Sequence, residues 1–138
     1  MKPALLDDNV LLALAWPNHQ HHTDAHAWFA REAKHEWATI GFTQLAFIRL
    51  SSNSAYTANA VTPREAAALL RDLLSHKHHR FWPSPPGAGS EIYAQAIGHQ
   101  QVNDAYLVQV ARQQKGRLIT FDQRLKAHDQ GAGLVYTI

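Results

Sequence analysis

Short apolar runs alternate with longer amphipathic segments along the chain. Ala4-Leu5-Leu6 has the unbroken apolar character of a strand buried on both faces of a sheet, and the apolar residues 10–15 after it predict a short helix. Further strands are predicted over residues 36–40, 80–82, 117–122 and 133–138, and further helices over residues 23–34, 42–53, 63–75, 90–97 and 103–114. Because strands alternate with helices, we expect an α/β fold in which helices cover both faces of a parallel sheet.

Local sequence signals mark several element boundaries. Thr62 and Glu65 have the three-residue spacing of a capping box, and Pro63 between them suits the first position of a helix. Thr43 is predicted to cap the first turn of the helix over residues 42–53. The segment 83–89 contains three prolines and two glycines, so it is expected to form a loop that ends the strand over residues 80–82.

Composition indicates the class of protein but does not identify the reaction that it carries out. With 138 residues, 46% of them hydrophobic and 17% charged, residues 1–138 are expected to form a single domain with an ordinary core. The net charge of +2 does not by itself identify a nucleic-acid partner. The lack of cysteine excludes disulfides, thiolate nucleophiles and Cys-ligated zinc. Polar residues 7–9 interrupt the N-terminal apolar stretch and no span is long enough to cross a membrane, so we expect a cytoplasmic protein.

Two predicted strands each end in an aspartate, Asp7 and Asp122. A lone Asp at the position of Asp7 is more often a helix N-cap than a functional acid. If the two strands are neighbours in a parallel sheet, however, both carboxylates lie at its carboxyl edge, where α/β proteins bind ligands. Asp104 lies on the same helix face as apolar Leu107 and Val108, and its helix should begin at that edge. An acid in a first turn can also serve the helix dipole alone.

Three converging carboxylates would repel one another unless a cation offsets their charge. Oxygen ligands favour hard ions, and Mg²⁺ in particular is bound through a few carboxylates, water and substrate phosphate oxygens, with Mn²⁺ as the alternative ion. A cation at this edge would orient a water molecule and screen the charge of a phosphodiester during hydrolysis. We therefore expect metal-dependent phosphodiester chemistry at Asp7, Asp104 and Asp122.

Four segments together resemble a known family: Leu5-Leu-Asp-Asp-Asn-Val-Leu-Leu-Ala-Leu14, Thr43-Gln-Leu-Ala-Phe-Ile-Arg-Leu50, Asn103-Asp-Ala-Tyr-Leu107 and Leu118-Ile-Thr-Phe-Asp122. In this order and spacing they resemble PIN domains, and most closely the VapC-type toxins of bacterial type II toxin–antitoxin modules. The resemblance implies a three-layer α/β/α sandwich, Mg²⁺-dependent endoribonuclease activity, a cognate antitoxin and a homodimer. It also implies site residues, namely the metal-binding and catalytic acids Asp7, Asp104 and Asp122 and the supporting residues Asn9, Thr43, Gln44 and Thr120.

Gln44 departs from the family pattern, because PIN domains commonly carry a glutamate there. Glutamine offers a carbonyl oxygen but neither a negative charge nor a base. Either three aspartates suffice for catalysis, or activity is reduced while binding remains. A compensating acid from Glu36 or Glu91 has no support in the sequence.

Other functions remain open beside the toxin. A PIN-like nuclease of RNA maturation or DNA processing would share the chemistry without an antitoxin, and a non-catalytic RNA-binding module would fit Gln44. A receiver-type phosphoacceptor is disfavoured, because residues 80–82 run into Pro83 and not into a further aspartate. His22 and His26 have the spacing of a zinc pair, but without a third ligand a surface helix start is favoured. The tryptophans are expected to pack in the core or at interfaces.

Overall fold

The computed structural model describes residues 1–83, 85–89, 93 and 96–138. Its strands are β1 (Ala4–Leu6), β2 (Trp37–Thr39), β3 (His79–Phe81), β4 (Arg117–Thr120) and β5 (Val135–Thr137). Its α-helices are α1 (Asp8–Ala15), α2 (His22–Glu32), α3 (Gly41–Ser51), α4 (Pro63–Leu74) and α5 (Val102–Gln113). Short 3₁₀ helices lie at His99–Gln101 and Gln123–His128.

The five strands form one parallel sheet in the order β3-β2-β1-β4-β5. The chain builds β2 and β3 on one side of β1, and β4 and β5 on the other. Strand order therefore reverses between β1 and β4, and ligands in open α/β sheets bind at such a switch point. The predicted α/β sandwich with a central parallel sheet is confirmed.

Both faces of the sheet are buried, which explains why its central strands have unbroken apolar sequences. Leu6, Trp37 and Ile119 belong to the core beneath α1, α2 and α3. Leu5 and Leu118 belong to a second core beneath α5. Since successive residues of a strand point to opposite faces, neighbouring apolar residues of β1 and β4 supply both cores.

The predicted helix starts are confirmed where a polar side chain bonds the backbone. Thr62 accepts a hydrogen bond from the Glu65 amide at 3.1 Å, and Glu65 accepts one from the Thr62 amide at 3.3 Å, which completes the capping box. Thr43 accepts a hydrogen bond from the Ile40 amide at 3.3 Å and so serves the first turn of α3. None of the helices in the described ranges is long and apolar enough to span a bilayer.

The predicted strand over residues 117–122 was too long, because β4 ends at Thr120. Asp122 lies beyond the strand, and its side chain accepts a hydrogen bond from the Arg124 amide at 2.9 Å and caps a 3₁₀ helix that was not predicted. Most of the helix predicted over residues 90–97 lies outside the described residues.

Gly116 is the one glycine whose missing side chain leaves room for close packing. A Cβ there would lie 2.7 Å from the carbonyl oxygen of Pro3 and 3.2 Å from the ring of Trp82. The Pro3 carbonyl accepts the Arg117 amide at 2.9 Å, so it cannot move without disturbing the pairing of β1 with β4. Gly116→Ala should therefore destabilise the protein by about 1–3 kcal/mol, measured by urea unfolding.

The matched control is Gly41→Ala. Nothing lies within 4 Å of a Cβ at Gly41, which is the first residue of α3. This substitution should be neutral or stabilise by up to about 1 kcal/mol through helix propensity. Equal free energies of unfolding for the two variants would contradict the packing argument.

Candidate active site at the carboxyl edge of the sheet

Asp7 joins β1 to α1 at the switch point of the sheet. Its side chain is buried, with 5% of the residue exposed. One carboxylate oxygen, Oδ1, accepts the Asp8 amide at 2.7 Å, so Asp7 is the N-cap residue of α1. The other oxygen, Oδ2, accepts the hydroxyl of Thr120 at 2.7 Å. Asp7 is thus both the N-cap residue of α1 and a carboxylate at the carboxyl edge of the sheet.

The Thr120 hydroxyl fixes the direction of this bond. Its oxygen accepts the Asn9 side-chain amide at 3.2 Å and the Asp122 backbone amide at 3.0 Å. A hydroxyl has two lone pairs and one proton, so the proton is left for Asp7. Asn9 is itself held, because its Oδ1 accepts the Phe121 amide at 3.3 Å. Asn9 and Thr120 therefore hold Asp7 as a hydrogen-bond acceptor.

The environment of Asp7 disfavours an isolated negative charge. Burial raises the pKa of its carboxyl well above the ordinary value, and the side chain of Asp8 acts in the same direction through its hydrogen bond and its negative charge, whereas the bond from the Asp8 backbone amide lowers this pKa. The hydrogen bond from Thr120 lowers the same pKa. Desolvation disfavours the charged form of a buried carboxylate, even one that accepts hydrogen bonds. A nearby cation would stabilise that charged form.

Asp104 lies half-buried in the first turn of α5. Burial raises the pKa of its carboxyl, and the charge of Asp122 raises it further. His128 and Arg124 act in the opposite direction, and Asp8 adds a small upward contribution. The charges of Asp104 and Asp122 thus affect each other in the folded chain.

Asp122 is paired with a cation from its own chain. The Arg124 guanidinium contacts both carboxylate oxygens, with Nη2 2.8 Å from Oδ2 and Nε 3.0 Å from Oδ1. This pairing lowers the pKa of Asp122. The Arg124 side chain is 72% exposed, so the pair is screened by water and can separate at little cost.

The edge therefore brings the three predicted acids to one region without forming a complete ligand set. Thr120 links the Asp7 carboxylate to the backbone of Asp122, and Asp104 senses the charge of Asp122. Within residues 1–83, 85–89, 93 and 96–138, no three acidic or histidine side chains are grouped closely enough to hold a metal ion. The donors still fit a hard divalent cation, because they are carboxylate oxygens and because the edge already binds one positive group, the guanidinium of Arg124.

Gln44 takes part in a second polar cluster at the same edge. Its side-chain nitrogen donates to the hydroxyl of Thr39, the last residue of β2, at 2.9 Å. The Thr39 oxygen lies 2.8 Å from Nε2 of His79 on β3. Burial lowers the pKa of His79, although a hydrogen bond to the Leu74 backbone opposes this. The residue at the position that holds an acid in many PIN domains is thus hydrogen-bonded to Thr39, which in turn bonds His79.

Sequence reasoning missed Thr39, His79 and Arg124. Arg124 follows Asp122 by two residues, so its pairing could have been found from local spacing. His79 is separated from Thr39 by 40 positions and meets it only because β2 and β3 pair in parallel. No pattern in the sequence indicated that contact.

His22 and His26 have a structural role in the described chain. His22 Nδ1 lies 2.7 Å from the carbonyl oxygen of Ala13, and His26 Nε2 lies 2.8 Å from that of Leu14. These carbonyls end α1, where intrahelical partners are missing. The histidine pair thus ties the end of α1 to the start of α2, in agreement with the helix-start interpretation.

The chain matches the PIN domain family over residues 4–131. The chain belongs to the PIN domain family. Its fold and the acidic edge of its sheet agree with that membership.

The relatives of this chain are ribonucleases by name. It is 42% identical to Ribonuclease VapC39 of Mycobacterium tuberculosis over 135 residues, with 96% of each chain covered. It is 37% identical to Ribonuclease VapC38 of the same species over 119 residues, covering 86% of this chain and 84% of the relative.

Two solved structures share its fold. One is the sarcin-ricin loop cleaving toxin VapC20 of Mycobacterium tuberculosis, with a TM-score of 0.65, 16% identity and 96% of each chain covered. The other is VapBC2 of Rickettsia felis bound to a fragment of promoter DNA, with a TM-score of 0.64, 13% identity and 98% of each chain covered.

Thr120→Val tests the hydrogen bonds that hold Asp7. The substitution keeps the side-chain shape but removes the donor to Asp7 and the acceptor of the Asn9 and Asp122 amides. It should destabilise the protein by about 2 kcal/mol in urea unfolding, since buried polar groups lose their partners.

Thr137→Val is the matched control for Thr120→Val. Thr137 pairs with Thr120 across β4 and β5, and its Oγ1 is buried and has no hydrogen-bond partner in the part of the chain that is described. Removing this hydroxyl should be neutral or stabilising. A loss as large as that of Thr120→Val would show that the site's hydrogen bonds are not the cause.

The Gln44–Thr39–His79 cluster predicts a pH dependence of stability. Because the pKa of His79 is lowered in the folded protein, the unfolded chain binds a proton more readily near pH 6.5 and below. Stability contributed by neutral His79 is therefore present above that pH and is lost as the pH falls. In urea unfolding at pH 7.5 and 5.5, His79→Gln should lose less stability on acidification than the wild type. An identical loss in both proteins would contradict this role.

Proposed function

We propose that this protein is a Mg²⁺-dependent endoribonuclease, the toxin of a VapBC-type toxin–antitoxin module. The observation that carries the proposal is the buried Asp7, held as an acceptor by Thr120 at the switch point of the sheet. Family membership and 42% identity to a named ribonuclease direct that chemistry toward RNA.

Each acid has a distinct task in the proposed site. Asp7 would bind the cation through lone pairs left free by its two hydrogen bonds, while Asp122 and Asp104 would complete the carboxylate set. When bound, Mg²⁺ supplies charge that activates water and stabilises the phosphodiester during hydrolysis. Mn²⁺ has similar ligand preferences and should substitute for it.

Arg124 supplies an exposed, positively charged side chain to the site. Its guanidinium holds Asp122 in a bidentate pair, yet most of the side chain is exposed. If Asp122 held the metal ion, the Arg124 guanidinium would be free to contact a phosphate oxygen of the RNA backbone, for which its bidentate geometry is suited.

The proposed partners are RNA, a cognate antitoxin and a second copy of the chain. The structural similarity to VapBC2 supports an antitoxin only through the shared fold, and the homodimer follows from the family resemblance. The acidic edge would attract a basic side chain of an antitoxin, as it already attracts Arg124.

A non-catalytic RNA-binding module is the second candidate. It is favoured by one observation, namely that Gln44 donates to Thr39 where an acid could serve the metal. Retained RNA affinity without metal-stimulated cleavage would support it.

The decisive experiment is cleavage of a pool of structured RNAs by the purified, antitoxin-free chain. We expect discrete fragments with Mg²⁺ and none with EDTA. Asp7→Asn and Asp104→Asn should each reduce the rate by about a hundredfold or more, a loss typical of removing a group that acts on the reacting atoms. Asp72→Asn, on the exposed surface of α4, is the matched control and should retain activity.

All variants must show wild-type unfolding midpoints, which separates chemistry from folding. Full activity of Asp104→Asn would remove Asp104 from the site. No cleavage by a folded wild type would favour the binding module, and Gln44→Glu would then show whether a fourth acid restores activity.

A further inference from the structure

A cavity of about 240 Å³ lies at the C-terminal end of α1. It is lined by residues of three segments: the end of α1, the loop between α1 and α2, and the region where α3 ends. We call it the side pocket. None of the acids assigned to catalysis lines it, so it is distinct from the carboxylate site.

The side pocket is close to the carboxylate edge along α1. Asp8, Leu12 and Trp16 are spaced by four residues, and Leu12 and Trp16 line the pocket. Four residues advance a helix by about 6 Å, so the pocket begins about one turn beyond Asp8. The charge of Asp8 also contributes, after burial, to raising the pKa of Tyr56 on the far wall.

A ring stack connects the loop of the pocket to the site. His21 stacks on Phe121, with ring centroids 4.3 Å apart and planes inclined by 9°. Phe121 lies between Thr120 and Asp122 in the chain. The loop that carries His19 and Gln20 into the pocket is therefore held against the catalytic edge.

The lining of the side pocket combines aromatic rings with neutral polar groups. Trp16 and Tyr56 are its largest aromatic residues, and the Trp16 indole is fixed by a 3.0 Å hydrogen bond from Nε1 to Ser51. Asn18 and Gln20 each have an amide donor next to a carbonyl acceptor.

The side pocket contains no Lys, Arg, Asp or Glu among its lining residues. Its titratable members are His19 and Tyr56. Burial, followed by the charges of His21 and His22, lowers the pKa of His19 and favours its neutral form. Such a lining offers no counter-ion to a phosphate or an ammonium group, but it suits a flat, uncharged ring with hydrogen-bonding edges.

We propose that the side pocket binds an unpaired nucleobase of the RNA strand whose phosphodiester lies at the carboxylate site. This inference rests on the proposed function. Bases in single-stranded RNA stack on aromatic side chains and bond through their exposed edges. The charged edge then acts on the backbone, while the neutral pocket selects the nucleotide that sets the register of cleavage.

The test uses a single-stranded oligoribonucleotide that contains a cleavage site of the wild-type protein. Each nucleotide around the scissile bond is replaced in turn by an abasic residue, which keeps the backbone and removes the base. We expect one position at which the replacement raises KM about tenfold, in the range observed for loss of one base–aromatic stack. Binding to the Asp7→Asn variant, followed by fluorescence anisotropy, should weaken at the same position.

Tyr56→Ala should raise KM for the intact oligonucleotide by a similar factor. In this variant the abasic replacement should have no further effect, because the ring and the base are partners in one contact. Tyr56→Phe keeps the ring and should retain most of the affinity. Tyr136→Ala is the matched control, since Tyr56 and Tyr136 are each 47% exposed and Tyr136 does not line the pocket.

Wild-type cleavage that is insensitive to every abasic replacement would overturn the side-pocket proposal and leave the nuclease intact. So would a Tyr56→Ala loss that is equal for intact and abasic oligonucleotides, because Tyr56 would then act only on the fold. A wild type that neither binds nor cleaves the oligonucleotide would instead refute the proposed function itself.

Discussion

The hydrogen bond from Thr120 to Asp7 is the contact on which the site depends. It joins residues 113 positions apart, and it forms because β1 and β4 pair in parallel with Leu6 opposite Ile119. The pairing places the residue after β1 beside the last residue of β4. A change of register by one residue would turn Thr120 to the other face of the sheet and leave the buried carboxylate without its donor. The register of the sheet therefore determines the geometry of the site.

The three carboxylates at the carboxyl edge of the sheet lie in different environments, which shift their pKa values by different amounts and in different directions. Burial raises the pKa of Asp7, whereas the exposed Arg124 lowers the pKa of Asp122. Asp104 lies between these extremes, half-buried and raised in pKa by burial and by Asp122. The ion pair with Arg124 offsets the charge of one of these carboxylates within the chain itself. A divalent cation would relieve the same repulsion more completely, which gives the acidic edge a physical reason to bind one.

The sequence predicted those features that depend on local pattern or on topology. Unbroken apolar runs identified β1 and β4, and aspartates following them placed Asp7 and Asp122 at one edge. The capping box at Thr62 was also predicted from the sequence. The contact between Thr39 and His79 could not be predicted, since such contacts depend on the pairing of distant strands and on side-chain rotamers. The end of β4 at Thr120 was missed because Asp122 prefers to cap a 3₁₀ helix.

The separation of charged and neutral surfaces has a physical basis. A phosphodiester needs positive charge in its immediate surroundings, and carboxylates provide it only through a bound cation. A nucleobase carries no charge, and in a charged groove its polar edges would compete with water and ions. In the proposed nuclease, confining the acids to the sheet edge and the aromatic, uncharged side chains to the α1–α2 side would let each part of a nucleotide meet the surface that suits it. Because α1 begins at Asp8 and ends at the side pocket, one helix sets the spacing between the two surfaces.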